Sequence, residues 1–374
     1  MMKVLVTGGA GFIGSHLVDG LIERGYTVRV FDNLDPQVHG AGQKVPVYLN
    51  PEAEFTLGDM RDREALARAL DGVQAVFHQA AAVGVGQSMY KILHYMDHNA
   101  LGTANLLDLL ASGAYEIEKL IVASSMSIYG EGKYQCQECG IMFPQLRSGA
   151  QLRERRWEIH CPNCLTELQP LATDEEKPLF PTSIYAISKR DQEEMCLSVG
   201  RAYGIPTVAL RYFNTYGPRQ ALSNPYTGVA VIFCTRILNG NPSLIFEDGL
   251  QSRDFVHVKD IVQANLLVLE NPNADYQVFN VGTGRPLAIL DLARILLDQL
   301  GRPDLEPQIV QRFRAGDIRH CYADISRIQA IGYTPQTSLE EGISDLIQWV
   351  TKQPKALDQT ALAVKQLDHR GLIR

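Results

Sequence analysis

Tyr185 and Lys189 stand four residues apart in Pro181-Thr182-Ser183-Ile184-Tyr185-Ala186-Ile187-Ser188-Lys189, a segment that opens a helix running to about Tyr203. On a helix that spacing puts phenol and ammonium on one face. A tyrosine beside positive charge can take the proton of an alcohol. It titrates near 10 in water, so neutrality needs a shift of about 3 units, or about 4 kcal/mol. A lone Tyr-x-x-x-Lys is common. Its weight here comes from Ser124-Ser125, which end an apolar strand, and from Gly8, Gly11 and Gly14 near the N-terminus. There the apolar run Lys3-Val4-Leu5-Val6-Thr7 breaks into glycines and resumes with helical periodicity at Phe12, Ile13, Leu17, Val18, Leu21 and Ile22. Such a turn lets a pyrophosphate approach the backbone at the positive end of a helix. The next strand, Thr27 to Phe31, ends in Asp32, at the spacing of a carboxylate that grips an adenosine ribose. A carboxylate there repels a 2′-phosphate and so disfavours NADP.

The elements that must position these groups alternate. Strands are expected at Glu54 to Leu57, Ala75 to His78, Lys119 to Ala123 and Thr207 to Phe213. Helices are expected at Asp62 to Leu70 and Asp97 to Leu110. That order implies an α/β fold, a Rossmann-type doubly wound parallel sheet. Small residues after the fourth strand, Gln79-Ala80-Ala81-Ala82, suit a ligand lying across the carboxyl ends of the strands. Asp59 reads equally well as meeting an adenine edge and as a helix cap. Downstream, amphipathic helices at Gly228 to Leu238, Ile261 to Leu269 and Leu290 to Leu300 alternate with short strands as a smaller α/β substrate-binding lobe. The expected division is a nucleotide-binding domain over 1–215, interrupted by an insert over 133–171 and partly interleaved with 251–285. A substrate lobe follows mostly over 216–350, and a tail without an assignable partner over 351–374. Ser338 and Glu341 form a plausible capping box for a helix ending near Val350.

Net charge is −7, which argues against a nucleic-acid surface, and no apolar run approaches membrane-spanning length. The chain enters a strand at once, so a signal peptide is not expected and a cytoplasmic setting is. In a reducing compartment, Cys136/Cys139 and Cys161/Cys164 suggest metal or redox chemistry rather than disulfides. Two Cys-x-x-Cys pairs at this separation signal a zinc ribbon, with four thiolates around a structural ion and no open position. A redox pair and an iron centre are the alternatives, and His160 reads as a bystander. The ribbon leaves the chain beside the Ser125 strand, so it is expected over the mouth of the substrate pocket.

These motifs resemble the extended short-chain dehydrogenase/reductases, specifically the NAD-dependent nucleotide-sugar epimerases and dehydratases. The resemblance also rests on Arg211-Tyr212-Phe213-Asn214-Thr215-Tyr216-Gly217-Pro218-Arg219 and Gln251-Ser252-Arg253-Asp254-Phe255-Val256-His257-Val258. Asn280-Val281-Gly282-Thr283-Gly284 and Arg314-Ala315-Gly316-Asp317 extend it, and it covers nearly the whole chain except the insert. It implies that Tyr185 is the base, that Ser125 assists, and that Lys189 also grips the nicotinamide ribose. It implies NAD contacts at Gly8, Gly11, Phe12, Ile13, Gly14, Asp32, Asn33, Asp59, Met60, Gln79, Ala80, Ala82, Asn99, Tyr185, Lys189 and Phe213. It places a nucleoside-diphosphate sugar against Ser125, Ser127, Asn214, Val229, Arg253, Arg314, Asp317 and Cys321. Arginines suit a diphosphate because a guanidinium forks onto its oxygens. Members that eliminate water or decarboxylate carry an acid two positions after the catalytic Ser/Thr. Here that position is Ser127, so the resemblance implies epimerisation at C4 through a 4-keto sugar. A 4-keto-sugar reductase or a dehydratase of the same fold, and a non-catalytic NAD-binding scaffold, are the other readings. Resembling proteins with a similar cysteine insert include dTDP-L-rhamnose 4-epimerases, which raises a deoxy-sugar nucleotide. Family dimers pair the helices beginning near Asp97 and Ser183, so a homodimer is expected.

Overall fold

The computed structural model describes residues 2–42, 44–354 and 356–374. Seven strands form a parallel sheet: β1 (Lys3–Thr7), β2 (Thr27–Asp32), β3 (Glu54–Leu57), β4 (Ala75–His78), β5 (Lys119–Ser125), β6 (Thr207–Tyr212) and β7 (Val278–Val281). Their order across the sheet is β7-β6-β5-β4-β1-β2-β3. Strand β1 lies between β2 and β4, with Val4 opposite Val28 on one side and Ala75 on the other. The strand order reverses there, so a crevice opens at the carboxyl ends of β1 and β4. Val4, Leu5 and Val6 are fully buried, as a central parallel strand covered on both faces requires.

Several boundaries differ from expectation for local reasons. The helix expected from Asp97 begins at Ile92 and runs to Ala111, with a widened π segment at Met96–Leu101. Asp62, not Asp59, caps the helix Arg63–Leu70, accepting from the Glu64 and Ala65 N–H groups. The loop after Asp32 contains one helical turn, Pro36–His39, capped by Asp35. The strand expected to end at Phe213 stops at Tyr212, and Asn214–Tyr216 joins a second sheet with Ser252–His257 and Pro286–Ala288. Helices Val229–Leu238, Ile289–Gln299 and Leu339–Lys352 share one apolar core around Phe233, Leu292 and Leu346. Ser338 and Glu341 make the reciprocal capping box.

The insert forms a three-stranded antiparallel sheet, Gly140–Met142, Lys133–Cys136 and Gln169–Leu171, over a small core of Tyr134, Ile159 and Leu168. The tail is not without a partner. Its helix Thr360–His369 packs Leu367, with Ile373 beyond it, against Phe246. Among the described residues no helix is long and apolar enough to cross a membrane.

Candidate active site

The glycine turn is built by close backbone approach. Gly8 has φ +68°, and a Cβ there would stand 2.8 Å from the Ala80 nitrogen. A Cβ on Gly14 would meet the Gly8 carbonyl at 2.2 Å, and one on Gly11 the same oxygen at 3.3 Å. The helix Phe12–Glu23 starts at Phe12 and Ile13 with no side-chain cap, which leaves its first N–H groups for an anion. At the end of β2 the Asp32 carboxylate accepts from the Ala10 N–H at 3.0 Å and the Leu34 N–H at 2.9 Å. Burial raises its pKa. Asn33 donates to Asp59 at 2.9 Å. Hydrogen bonding from Arg61 holds Asp59 well below the usual carboxylate range. Met60 is buried against Gly102. These groups lie at the carboxyl ends of β1 to β3, and their chemistry fits NAD.

After β4, Gln79 donates to the Tyr212 hydroxyl at 3.1 Å, and the Ala80 N–H reaches the Thr7 hydroxyl at 3.3 Å. Asn99, on the widened turn, accepts from the Ala82 N–H at 2.7 Å and donates to the Ser188 hydroxyl at 2.9 Å. The π segment therefore ties the Ala80–Ala82 loop to the helix that carries Tyr185. Phe213 is buried with its N–H on the Val281 carbonyl.

At the end of β5, Ser125 Oγ accepts from the Ser127 N–H at 3.2 Å and from the Ser127 hydroxyl at 2.9 Å. The Ser125 hydroxyl lowers the pKa of the Tyr185 phenol. Burial nevertheless pushes Tyr185 up to about 12. Lys189 differs from expectation. Its ammonium is held by the Ala123 carbonyl at 2.6 Å and by Gln192 at 3.0 Å, and burial lowers it to about 8. In this arrangement the phenol is tuned by Ser125, not by Lys189.

On the facing lobe, the Arg253 guanidinium donates to the carbonyls of Ser252, Arg319 and Ile318 at 2.7–2.9 Å. Three of its five N–H donors are so engaged, and two remain. Arg314 donates to Asp317 at 2.7 Å and lies 4.8 Å from the Phe246 ring centre. Asn214 Oδ1 is buried without a partner, an acceptor that a ligand hydroxyl or amide would satisfy. Val229 begins the helix Val229–Leu238. Cys321 is buried, its thiol 3.8 Å from the Thr173 hydroxyl, and burial pushes it up to about 12. It is a packed thiol in the core around Ala323.

Residues 4–146 and 165–282 match the NAD dependent epimerase/dehydratase family. The chain belongs to this family. The epimerase/dehydratase match lapses only within the insert in that span. A dTDP-L-rhamnose 4-epimerase of Burkholderia thailandensis is 36% identical over 354 residues, 94% of this chain and 95% of that protein. A UDP-glucose 4-epimerase of Thermotoga maritima, solved with UDP-glucose, superposes with a TM-score of 0.76 at 33% identity, covering 94% and 99% of the two chains. A UDP-glucuronic acid 4-epimerase of Bacillus cereus, solved with UDP-glucuronic acid and NAD, gives 0.75 at 28% identity, again covering 94% and 99%.

The four insert thiols, Cys136, Cys139, Cys161 and Cys164, have sulfurs all within 4.8 Å of one another. His160 is outside this group, and its backbone pairs antiparallel with that of Glu167. A cluster that the sequence analysis did not find joins the insert to the substrate lobe. Glu158 pairs with Arg319 and His320, and Arg319 also pairs with Glu247 and Asp248. Nothing in local spacing signals it, because its members are up to 162 residues apart.

Proposed function

We propose that this protein is an NAD-dependent 4-epimerase of a nucleoside-diphosphate sugar. The carrying observation is the convergence of Tyr185 and Ser125 at the carboxyl edge of the sheet, next to a crevice that fits NAD. Gly8, Gly11, Gly14 and the Phe12–Ile13 helix start would hold the pyrophosphate, and Asp32 the adenosine ribose. When bound, NAD accepts the C4 hydride and returns it. Tyr185 takes the proton of the sugar hydroxyl, while Ser125 holds that oxygen in line. From about 12, the phenol must fall by about 5 units, or about 7 kcal/mol, to act at neutral pH. Release of the Lys189 ammonium from Ala123 toward the cleft would supply part of that charge. Ser127 is a hydrogen-bond donor to Ser125 rather than a carboxylate, so the site lacks the base that elimination needs at this position.

Asn214, Arg253, Arg314 and Asp317 anchor the nucleoside diphosphate in this reading, and the Burkholderia relative supports dTDP-L-rhamnose as a candidate. The four-thiol cluster would hold a structural zinc, since four sulfurs at this spacing suit tetrahedral coordination. A homodimer is supported by Ile92, Leu93 and Leu101 on the helix beginning at Ile92 and by Ile187 on the catalytic helix Ile184–Tyr203, which leave apolar side chains exposed. The test is incubation with UDP-, dTDP-, GDP- and CDP-sugars and NMR of the products. Inversion at C4 without net consumption of cofactor is expected. A reduced sugar formed only with added NADPH would overturn the assignment in favour of a reductase.

A further inference from the structure

A small cavity lies directly beside Arg314 and Asp317, and its other walls are Val85, Met89, Leu367 and Leu372. Two of these walls belong to the C-terminal tail. The tail reaches this place by engaging both halves of the molecule. Gln366 Oε1 accepts from the hydroxyls of Tyr90, on the nucleotide-binding side, and Tyr226, from the substrate lobe, each at 3.0 Å, and the two hydroxyls meet at 2.6 Å. Arg370 lies 4.2 Å from the Tyr90 ring centre. Gly86 faces Leu367 of the tail, and a Cβ there would stand in ordinary contact with it at 3.5 Å. On the substrate side, Arg374 and Phe313 exchange backbone hydrogen bonds of 2.9 and 3.0 Å, and the Ala315 N–H reaches the Leu372 carbonyl at 2.8 Å. The tail thus pairs as a short antiparallel bridge with the backbone of Arg314 itself.

We infer that the tail completes the subsite for the heterocyclic base of the substrate, with Leu367 and Leu372 as its apolar wall. This inference rests on the nucleoside-diphosphate reading of the site. Arg314 and Asp317 supply the charged groups that a diphosphate and a ribose need. The part of such a ligand left over is a flat ring with apolar faces. Binding sites of this kind are mostly apolar with a few fixed polar groups, and the tail brings the apolar part to the charged part. The backbone bridge from Leu372 to Ala315 also fixes Arg314 in register with that wall.

The test compares the full-length parent with Leu372→Ala and Leu367→Ala by calorimetry, using UDP, dTDP and inorganic pyrophosphate as separate probes. Leu372 is half-buried and pairs through its backbone, so its truncation keeps the bridge. The loss of apolar wall should weaken UDP or dTDP binding by about ten-fold. Pyrophosphate, which reaches only the arginines, should bind all three proteins alike. Nucleotide binding equal in parent and variants would overturn this inference alone, and so would tighter binding in the variants, which would mark the tail as an obstructing strap. A parent that binds pyrophosphate but neither nucleotide would overturn the substrate reading and this inference with it.

Discussion

Arg147, carried by the insert, forks onto Glu247 of the substrate lobe, with Nη1 2.8 Å from Oε2 and Nη2 2.9 Å from Oε1. Both side chains are buried, and Nη2 also donates to the Asp317 carbonyl at 3.3 Å. Glu247 has a φ of 55°, a left-handed backbone that a non-glycine residue adopts only where its surroundings hold it. The insert therefore braces the turn that presents Asp317. Arg147→Ala would leave the Glu247 carboxylate buried with one fewer cation, and breaking such a pair costs about 3–5 kcal/mol. Chemical denaturation should show that loss, together with a raised KM for the nucleotide sugar. The double variant Arg147→Met/Glu247→Leu, which removes both charges but also takes one carboxylate from the buried Arg319, should recover only part of the stability. An Arg147→Ala protein as stable as the parent would show that the brace carries no load.

Removal of the phenol oxygen tests the base. Tyr185→Phe should lower kcat by about 10²–10⁴-fold with an unchanged fold and unchanged NAD content. The pH profile gives the second half of the argument. The active form is the phenolate, and burial, partly offset by Ser125, sets Tyr185 at about 12, so kcat/KM should rise with pH on its acid side. If Lys189 contributes charge during turnover, Lys189→Met should move that rising limb to higher pH. A limb at the same pH in both proteins would leave Lys189 with only its hydrogen bonds to Ala123 and Gln192.

The parts of the site that were legible in the sequence are those whose geometry is local. Gly8 and Gly14 are spaced by the turn they make, Tyr185 and Lys189 by one helical turn, and the four thiols by their knuckles. Chain order likewise dictated the parallel sheet, because each strand returns through a helix. What could not be read depends on contacts between distant segments. The Lys189 ammonium is drawn to the Ala123 carbonyl on β5, a partner 66 residues away that no spacing reveals. Gln192, one helical turn beyond Lys189, was accessible by the same periodicity and was not singled out. The tail looked unpartnered because its partners, Tyr90, Tyr226 and Phe313, lie in three separate stretches. Arg319 belongs to no motif, yet it is fully buried among Glu158, Glu247 and Asp248.

Two buried histidines set the acid limit of the fold. Burial lowers His78 to about 3 and His257 to about 4, against an ordinary value of 6.5. His78 sits between the hydroxyls of Thr7 at 2.9 Å and Thr103 at 2.8 Å, and the Lys189 ammonium also disfavours its protonation. Between pH 6.5 and about 4 the unfolded chain binds more protons than the folded one, so stability falls as pH falls. The contribution is fully present above 6.5. Each histidine adds a slope of at most about 1.4 kcal/mol per pH unit in that window. Denaturation midpoints measured from pH 7 to 4 should show the decline, and His257→Gln should make it shallower. A midpoint independent of pH across this range would contradict the burial of both rings.

Exposed apolar residues on paired helices test the assembly. Leu93 is 80% exposed, and Ile92, Leu101 and Ile187 add to the same region. Leu93→Asp should convert a dimer into a monomer in light scattering, with little change in monomer stability because the residue contacts little within its own chain. A parent protein that is already monomeric would remove the reason for these side chains to be apolar.

The insert supplies the clearest separation between metal and fold. Its apolar core amounts to Tyr134, Ile159 and Leu168 with the thiols of Cys136 and Cys161, too little to hold a segment of this size by burial alone. A metal bound by four sulfurs would provide the missing free energy, and its removal would take the insert's contacts with it. One zinc per chain is expected by elemental analysis, lost in Cys161→Ser but retained in Cys196→Ser, whose thiol is buried under a different helix. Loss of the metal should free Arg147 and Glu158, leaving Arg319 buried with fewer carboxylates. The whole protein, not only the insert, should then denature at a lower temperature. A metal-free protein that melts like the parent would mean that the Arg147–Glu247 and Glu158–Arg319 pairs, rather than an ion, hold the ribbon in place.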